Sequence, residues 1–228
     1  MTLRNFIDHV MEQLAPLYPQ QECKAIAVRM LKEMLAGYKG YEHMVEPATE
    51  LDTFQLEGTA EKSQPSQQHS GTEKYLLSCV ERLATGEPLQ YVMGFEWFCG
   101  HKFNVAPGVL IPRPETEELV NKAIEFAQAA ALQPQSATHL RVLDICTGSG
   151  CIAWSLAAAL PQSEVYACDI SQQALQIARA QQIQCADNTP AKVKFLECDI
   201  LSQQAQQKIA ERGSFPVYFF DGISVFHI

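Results

Sequence analysis

The sequence predicts an α/β fold: an incomplete, doubly wound parallel sheet, preceded by a small N-terminal helical bundle and a β-hairpin linker. Three observations predict it. From Leu140 onward, short apolar runs alternate with helical segments, the succession that builds a parallel sheet. Before residue 86 the apolar residues recur at helical spacing. Between these regions, residues 89–110 are crowded with aromatic and β-branched side chains around a turn.

Composition sets the outer limits. Of 228 residues, 47% are hydrophobic and 19% charged, enough apolar side chain for a core. Seventeen Lys and Arg against 26 Asp and Glu leave a net charge of −9. That excludes a general nucleic-acid coat, whose affinity comes from Lys and Arg displacing counterions. No direct sequence-specific nucleic-acid binding is expected. The eight cysteines (23, 79, 99, 146, 151, 168, 185 and 198) never form C-x-x-C, and no Cys/His cluster has zinc spacing. Free thiols in a reducing cytoplasm are expected, with no metal. No apolar run approaches the length of a membrane span, so no membrane association is expected.

Along the chain, Phe6, Ile7, Val10, Met11, Leu14 and Leu17 mark a first helix. Ile26, Met30, Met34 and Leu35 mark a second, stopped at Gly37. A third is expected near Thr49–Leu56, a polar loop over Gly58–Gly71, and a last helix from about Thr72 to Ala84, ended by Gly86 and Pro88. A hairpin follows from Leu89 to Leu110, turning at Cys99-Gly100-His101-Lys102, with Phe95, Trp97 and Phe98 expected in its packed core. Pro114, with Glu115, Glu117 and Glu118 in its first turns, opens a helix to about Ala131. The sheet region then reads as strand Arg141–Ile145, helix Cys151–Leu160, strand Glu164–Cys168 and helix Ser171–Ile183 capped by Ser171. Strand Lys192–Glu197, helix Ser202–Arg212 and strand Pro216–Phe220 complete it.

The sharpest chemical signal is Val142-Leu143-Asp144-Ile145-Cys146-Thr147-Gly148-Ser149-Gly150-Cys151-Ile152-Ala153. Gly148-x-Gly150-x-x-Ala153 follows a strand and opens a helix, as in a Rossmann-like nucleotide-binding turn. The first glycine permits the turn, the second a close ligand, and Ala153 lets helix pack on strand. Asp169, at the end of the next strand, is placed to accept hydrogen bonds from ribose hydroxyls. Asp144 at the first strand's end would repel a pyrophosphate, yet suits a cationic amino group such as that of S-adenosylmethionine. The acid pair Asp144 and Asp169 therefore favours the methyl donor over a nicotinamide dinucleotide. For Asp144 the competing reading is a loop-capping carboxylate. For Asp199, after the third strand, adenine contact competes with a helix N-cap. His101 and His227 have no carboxylate partner readable from sequence, and no catalytic side chain is singled out.

The chain resembles the release factor N(5)-glutamine methyltransferases. The resemblance rests on Gly86-Glu87-Pro88-Leu89-Gln90-Tyr91-Val92-Met93-Gly94, on Leu110-Ile111-Pro112-Arg113-Pro114-Glu115-Thr116-Glu117, and on Val142 to Ala153. It implies that residues 1–86 dock the release factor, 87–112 form the hairpin linker, and 113–228 form an S-adenosylmethionine-binding methyltransferase domain. It implies that Cys146, Thr147, Gly148, Ser149 and Gly150 cradle the donor, that Asp169 holds its ribose, and that Asp199-Ile200 meet the adenine edge. The implied reaction is methylation of the glutamine amide in the Gly-Gly-Gln motif of peptide chain release factors. Cys146 stands where many members have Gly, and an ordinary φ is expected there. The family also ends its fourth strand with Asn-Pro-Pro-Tyr, which holds the acceptor amide. Here the stretch reads Phe219-Phe220-Asp221-Gly222-Ile223-Ser224-Val225-Phe226-His227-Ile228. The chain therefore reads as a truncated or frame-shifted member whose catalysis is crippled. Two other readings stand beside it: an adenine-N6 nucleic-acid methyltransferase, and a non-catalytic release-factor-binding fragment.

Overall fold

The computed structural model describes residues 1–35, 69–131, 140–213, 215, 217–220 and 223–226. The chain forms two compact units, Met1–Met93 and Gly94–Ile228. The helix expected near Thr49–Leu56 and the loop over residues 58–68 lie outside the described residues, as does His227.

The first unit contains helices α1 (Leu3–Leu14), α2 (Gln20–Leu35), α3 (His69–Ala84) and α4 (Leu89–Met93). Thr2 caps α1, its hydroxyl accepting the Asn5 N–H at 3.1 Å. One face of α1 (Leu3, Phe6, Ile7, Val10 and Leu14) is buried against Cys23, Ala27, Met30 and Leu31 of α2 and Leu76, Cys79, Val80 and Leu83 of α3. Leu17 was expected on that face, but α1 stops at Leu14 and Leu17 is exposed. Ala15 keeps α backbone as the C-cap, its N–H on the Met11 carbonyl, but Pro16 has no N–H with which to extend the helix. The last helix of this unit begins at His69 rather than Thr72.

Leu89–Met93, expected as the start of the hairpin, is a helical turn instead. Pro88 accepts at its start, with Tyr91 and Val92 N–H groups on its carbonyl. Arg82 closes its end, donating to the carbonyls of Tyr91 (3.2 Å) and Val92 (3.3 Å) and pairing with Glu87. Gly94, at φ +81°, then takes the chain out of the helix. Local capping overrides the β propensity of Tyr91 and Val92.

The second unit opens with the antiparallel hairpin β1 (Phe95–Phe98) and β2 (His101–Asn104). Phe98 and Phe103 are buried and meet edge to face at 6.1 Å. Trp97, expected in that core, is 48% exposed. Helix α5 (Pro114–Ala131) starts and stops where the sequence predicts. Glu117 does more than favour the helix dipole: its carboxylate accepts the Cys99 N–H at 2.9 Å and so ties the hairpin turn to α5.

The remaining elements are β3 (Arg141–Ile145), α6 (Cys151–Ala159), β4 (Glu164–Asp169), α7 (Gln172–Arg179), β5 (Val193–Glu197), α8 (Gln203–Ala210), β6 (Val217–Phe220) and β7 (Ile223–Phe226). They form a sheet of order β5-β4-β3-β6-β7, parallel except for β7, which pairs antiparallel with β6. The strand β7 was not expected from the sequence. Alternation along the strands divides the core. Val142, Val165 and Ala167 pack with α5, α6 and the hairpin on one face. Leu143, Ile145, Tyr166 and Cys168 line the other face, with Ile209 of α8.

Helix α7 ends at Arg179, short of the expected Ile183. The following residues turn back on themselves: Cys185 N–H bonds the Thr189 carbonyl and Ala191 N–H the Ile183 carbonyl. This turn buries Ile183, Cys185 and Ala191 in the core, which outweighs continuing the helix. Among the described residues, no helix is long and apolar enough to cross a membrane.

Candidate functional site

A parallel sheet brings the carboxyl ends of adjacent strands to one edge, and loops there are free to meet a ligand. Ile145 of β3 is in register with Cys168 of β4, so Asp144 and Asp169 reach the same edge. Asp199 follows β5, the next strand over, and lies along that edge too.

The turn after β3 is built from left-handed residues. Cys146 (φ +60°), Gly148 (φ +55°) and Gly150 (φ +81°) all have positive φ. The ordinary φ expected for Cys146 is therefore incorrect. The turn demands left-handed backbone one step earlier than the glycines, and a side chain is carried there against its preference. At Gly150 a Cβ would stand 2.9 Å from Trp154 Cδ1 and 3.2 Å from Ala178 Cβ. At Gly148 it would meet nothing within 4 Å. Gly150 thus answers to the protein's own packing, and Gly148 borders open space.

Hydrogen bonds fix this turn to its surroundings. Thr147 N–H bonds the Cys168 carbonyl at 3.0 Å, and Gly148 N–H bonds Asp169 Oδ2 at 2.9 Å. Asp169 Oδ1 accepts the Ser171 N–H at 2.9 Å. Each carboxylate oxygen therefore keeps further acceptor capacity. Asp144 is 1% exposed; its Oδ2 accepts the Thr147 hydroxyl at 2.5 Å and the Ala153 N–H at 3.2 Å. These are the contacts of a carboxylate capping the turn and the start of α6. Burial pushes its carboxyl up to about 7, while the Thr147 and Ala153 bonds pull the other way.

The residues named from sequence differ in placement. Thr147 and Ser149 are buried within the turn, Cys146 is exposed, and Gly148 is half-buried. Asp199 is exposed, its Oδ1 accepting the Leu201 N–H at 3.0 Å, and Ile200 is half-buried. The cap of α8 is Ser202, whose hydroxyl accepts the Ala205 N–H, so Asp199 does not serve as that cap. His101 lies in β2, edge to face with Phe103, and burial lowers its pKa.

Sequence reasoning missed several supports. Trp154 Nε1 donates to the Ala178 carbonyl at 2.7 Å and locks α6 to α7 beneath Gly150. Ile170 and Leu201, at the carboxyl edge, are 68% and 81% exposed. Gln181, buried behind the turn, gave no sequence signal because its partners are distant backbone atoms.

The sheet order and the glycine turn at the tip of β3 define a Rossmann-like α/β domain. Residues 143–227 match a family model described as a methyltransferase domain. By sequence the chain is similar to release factor glutamine methyltransferases. It is 34% identical over 207 residues to the one from Bacteroides thetaiotaomicron, covering 87% of this chain and 60% of that one. It is 32% identical over 204 residues to the one from Flavobacterium psychrophilum, covering 90% and 62%. A shorter match of 100 residues, 41% identical, joins it to a 4-amino-L-phenylalanine/4-methylamino-L-phenylalanine methyltransferase of Streptomyces pristinaespiralis, covering 44% and 34%. The chain spans about three fifths of the length of the first two relatives.

Proposed function

We propose that the chain binds S-adenosylmethionine across the turn after β3, and that its lineage methylates the glutamine side-chain amide of peptide chain release factors in the cytoplasm. The observation that carries the reading is the pairing of strand tips: Gly148 N–H rests on the Asp169 carboxylate, with open space above Gly148. The residues present fit the donor. Asp169 has spare lone pairs for two ribose hydroxyls. Asp144 supplies a buried carboxylate for the ammonium of the methionine moiety. Ile170 and Leu201, beside Asp199 and Ile200, offer apolar surface to a planar base. When bound, the donor supplies an electrophilic methyl group on its sulfonium.

The two release factor relatives match over too much of the chain to fit within its second unit, so their likeness reaches the helical first unit. That reach supports assigning release factor docking, expected of residues 1–86, to this unit. The amine-methylating relative needs only 44% of the chain. An amide nitrogen is a weak nucleophile, its lone pair being delocalised into the carbonyl, so catalysis depends on orienting it beside the methyl group. The resemblance assigns that task to Asn-Pro-Pro-Tyr, and this sequence carries Gly222-Ile223-Ser224-Val225 after Asp221. Donor binding is therefore expected to persist while methyl transfer is negligible.

The test pairs two measurements on the full chain: calorimetry with S-adenosylhomocysteine, and transfer of radiolabelled methyl to free release factor. Binding without transfer is the expected result. Clear turnover would refute the expected catalytic loss, and absence of binding would refute the donor site.

A further inference from the structure

Gln181 is 5% exposed and lies just beyond the C-cap of α7. Both its N–H donors and its carbonyl oxygen are engaged. Its Oε1 accepts the Asn104 N–H at 2.8 Å, and its Nε2 donates to the Asn104 carbonyl at 2.9 Å and the Ser149 carbonyl at 3.1 Å. A carboxamide carries one acceptor oxygen and two N–H donors, so it pairs with a residue as a strand would and keeps one donor spare. Here that spare donor reaches the glycine turn.

The peptide it holds is the vulnerable one. A flip of the Ser149–Gly150 peptide would change ψ of Ser149 and φ of Gly150, and a glycine at positive φ tolerates the second change. Its carbonyl is held by Gln181, and its N–H bonds the Thr147 carbonyl at 2.8 Å. The peptide is thus fastened on both sides. At the opposite end of α7, Gln173 Nε2 donates to the Pro107 carbonyl at 2.8 Å. Gly108, at φ +111°, leaves room for that amide, since a Cβ there would stand 2.7 Å from it. Two glutamines at the ends of α7 therefore bracket residues 104–108, which lead into Ile111-Pro112-Arg113-Pro114.

We infer that Gln181 is a positioning residue that couples the seating of the strap 104–108 to the methyl-donor turn. It does so by preventing the Ser149–Gly150 peptide from flipping. This rests on the donor reading of the turn given above. Donor binding then tightens the hairpin end, and a loosened hairpin end weakens donor binding by the same factor.

The experiment uses S-adenosylhomocysteine and the full chain. Hydrogen exchange of the Asn104 amide in the wild-type protein is expected to slow at least about threefold on binding, beyond any direct contact, as coupled sites require. Gln181→Met keeps the volume and removes the hydrogen bonds; it is expected to bind the probe about tenfold more weakly, within the range of such couplings. Equal affinity in the two proteins, or an unchanged Asn104 amide, would overturn the coupling and leave the donor site standing. If Gln181→Met does not fold, the wild-type exchange decides alone. A wild-type chain that binds no probe would overturn the donor reading and the coupling together.

Discussion

Strand β3 has a parallel neighbour on each side, and the two flanks differ. Toward β4, the strand tips are laced by Thr147 N–H on the Cys168 carbonyl and Gly148 N–H on Asp169. Toward β6, the pairing runs from Val142↔Val217 to Ile145↔Phe220, and the chain then returns as antiparallel β7. The β4 flank, the proposed donor side, is a local device: ten consecutive residues from Asp144 to Ala153, with Asp169 beside them, settle its backbone. The other flank is where the family resemblance places the acceptor, and there the sequence differs from the family's motif. On the proposed reading, donor binding and methyl transfer are therefore expected to be separable, because different stretches of chain would build them.

The largest expected effect on the donor flank is that of Gly150→Ala. Left-handed backbone costs an L-residue about 1–2 kcal/mol, and the contact with Trp154 adds about 1–3 kcal/mol of overpacking. Urea unfolding should therefore show a loss of about 2–5 kcal/mol, against about 1–2 kcal/mol for Gly148→Ala, which meets no neighbour. Equal losses would break the distinction between a packing glycine and a ligand-facing one.

Asp169→Asn comes next. It removes the charge, and a single carboxamide oxygen cannot replace both acceptors. Calorimetry should show S-adenosylhomocysteine binding about 10- to 100-fold more weakly, the worth of about 1.5–3 kcal/mol for a hydrogen bond to a charged group. An unchanged affinity would remove the ribose role.

Asp144 gives a pH signature. Its folded pKa is about 7 against an ordinary 3.8, so the native state holds this proton more tightly than the unfolded chain does. Its contribution to stability is full below pH 3.8 and declines as pH rises toward 7. Asp144→Asn should flatten that slope in chemical denaturation. Donor affinity runs the other way: pairing with an ammonium needs the ionised form, so binding should weaken by up to about tenfold per pH unit below 7. An affinity flat from pH 5 to 8 would leave Asp144 as a cap alone.

The smallest effect is a gain. Cys146→Gly relieves a left-handed side chain and should raise stability by up to about 1 kcal/mol, after the entropy that glycine adds to the unfolded chain. A loss would show that the thiol's own contacts outweigh the strain.

Most of the sheet was legible because β3, β4 and β5 are short apolar runs bounded by capped helices, and Ser171 and Ser202 announce those caps. The glycine turn after β3 was legible because its residues are consecutive in sequence. Leu89–Met93 was misread because its helix depends on Arg82, whose guanidinium reaches carbonyls that no local pattern displays. The end of α7 was misread because burial of Ile183, Cys185 and Ala191 is a tertiary gain. Gln181 was invisible for a related reason: it bonds backbone atoms 77 and 32 residues away, and backbone has no sequence signature.

The most direct test of the donor site is amide mapping of the full chain as S-adenosylhomocysteine is added. Shifts are expected to concentrate at residues 146–150 and 169–171, along the β3 and β4 tips, with smaller ones at 199–201. Saturable binding that leaves the 146–150 and 169–171 amides unmoved would contradict that expectation.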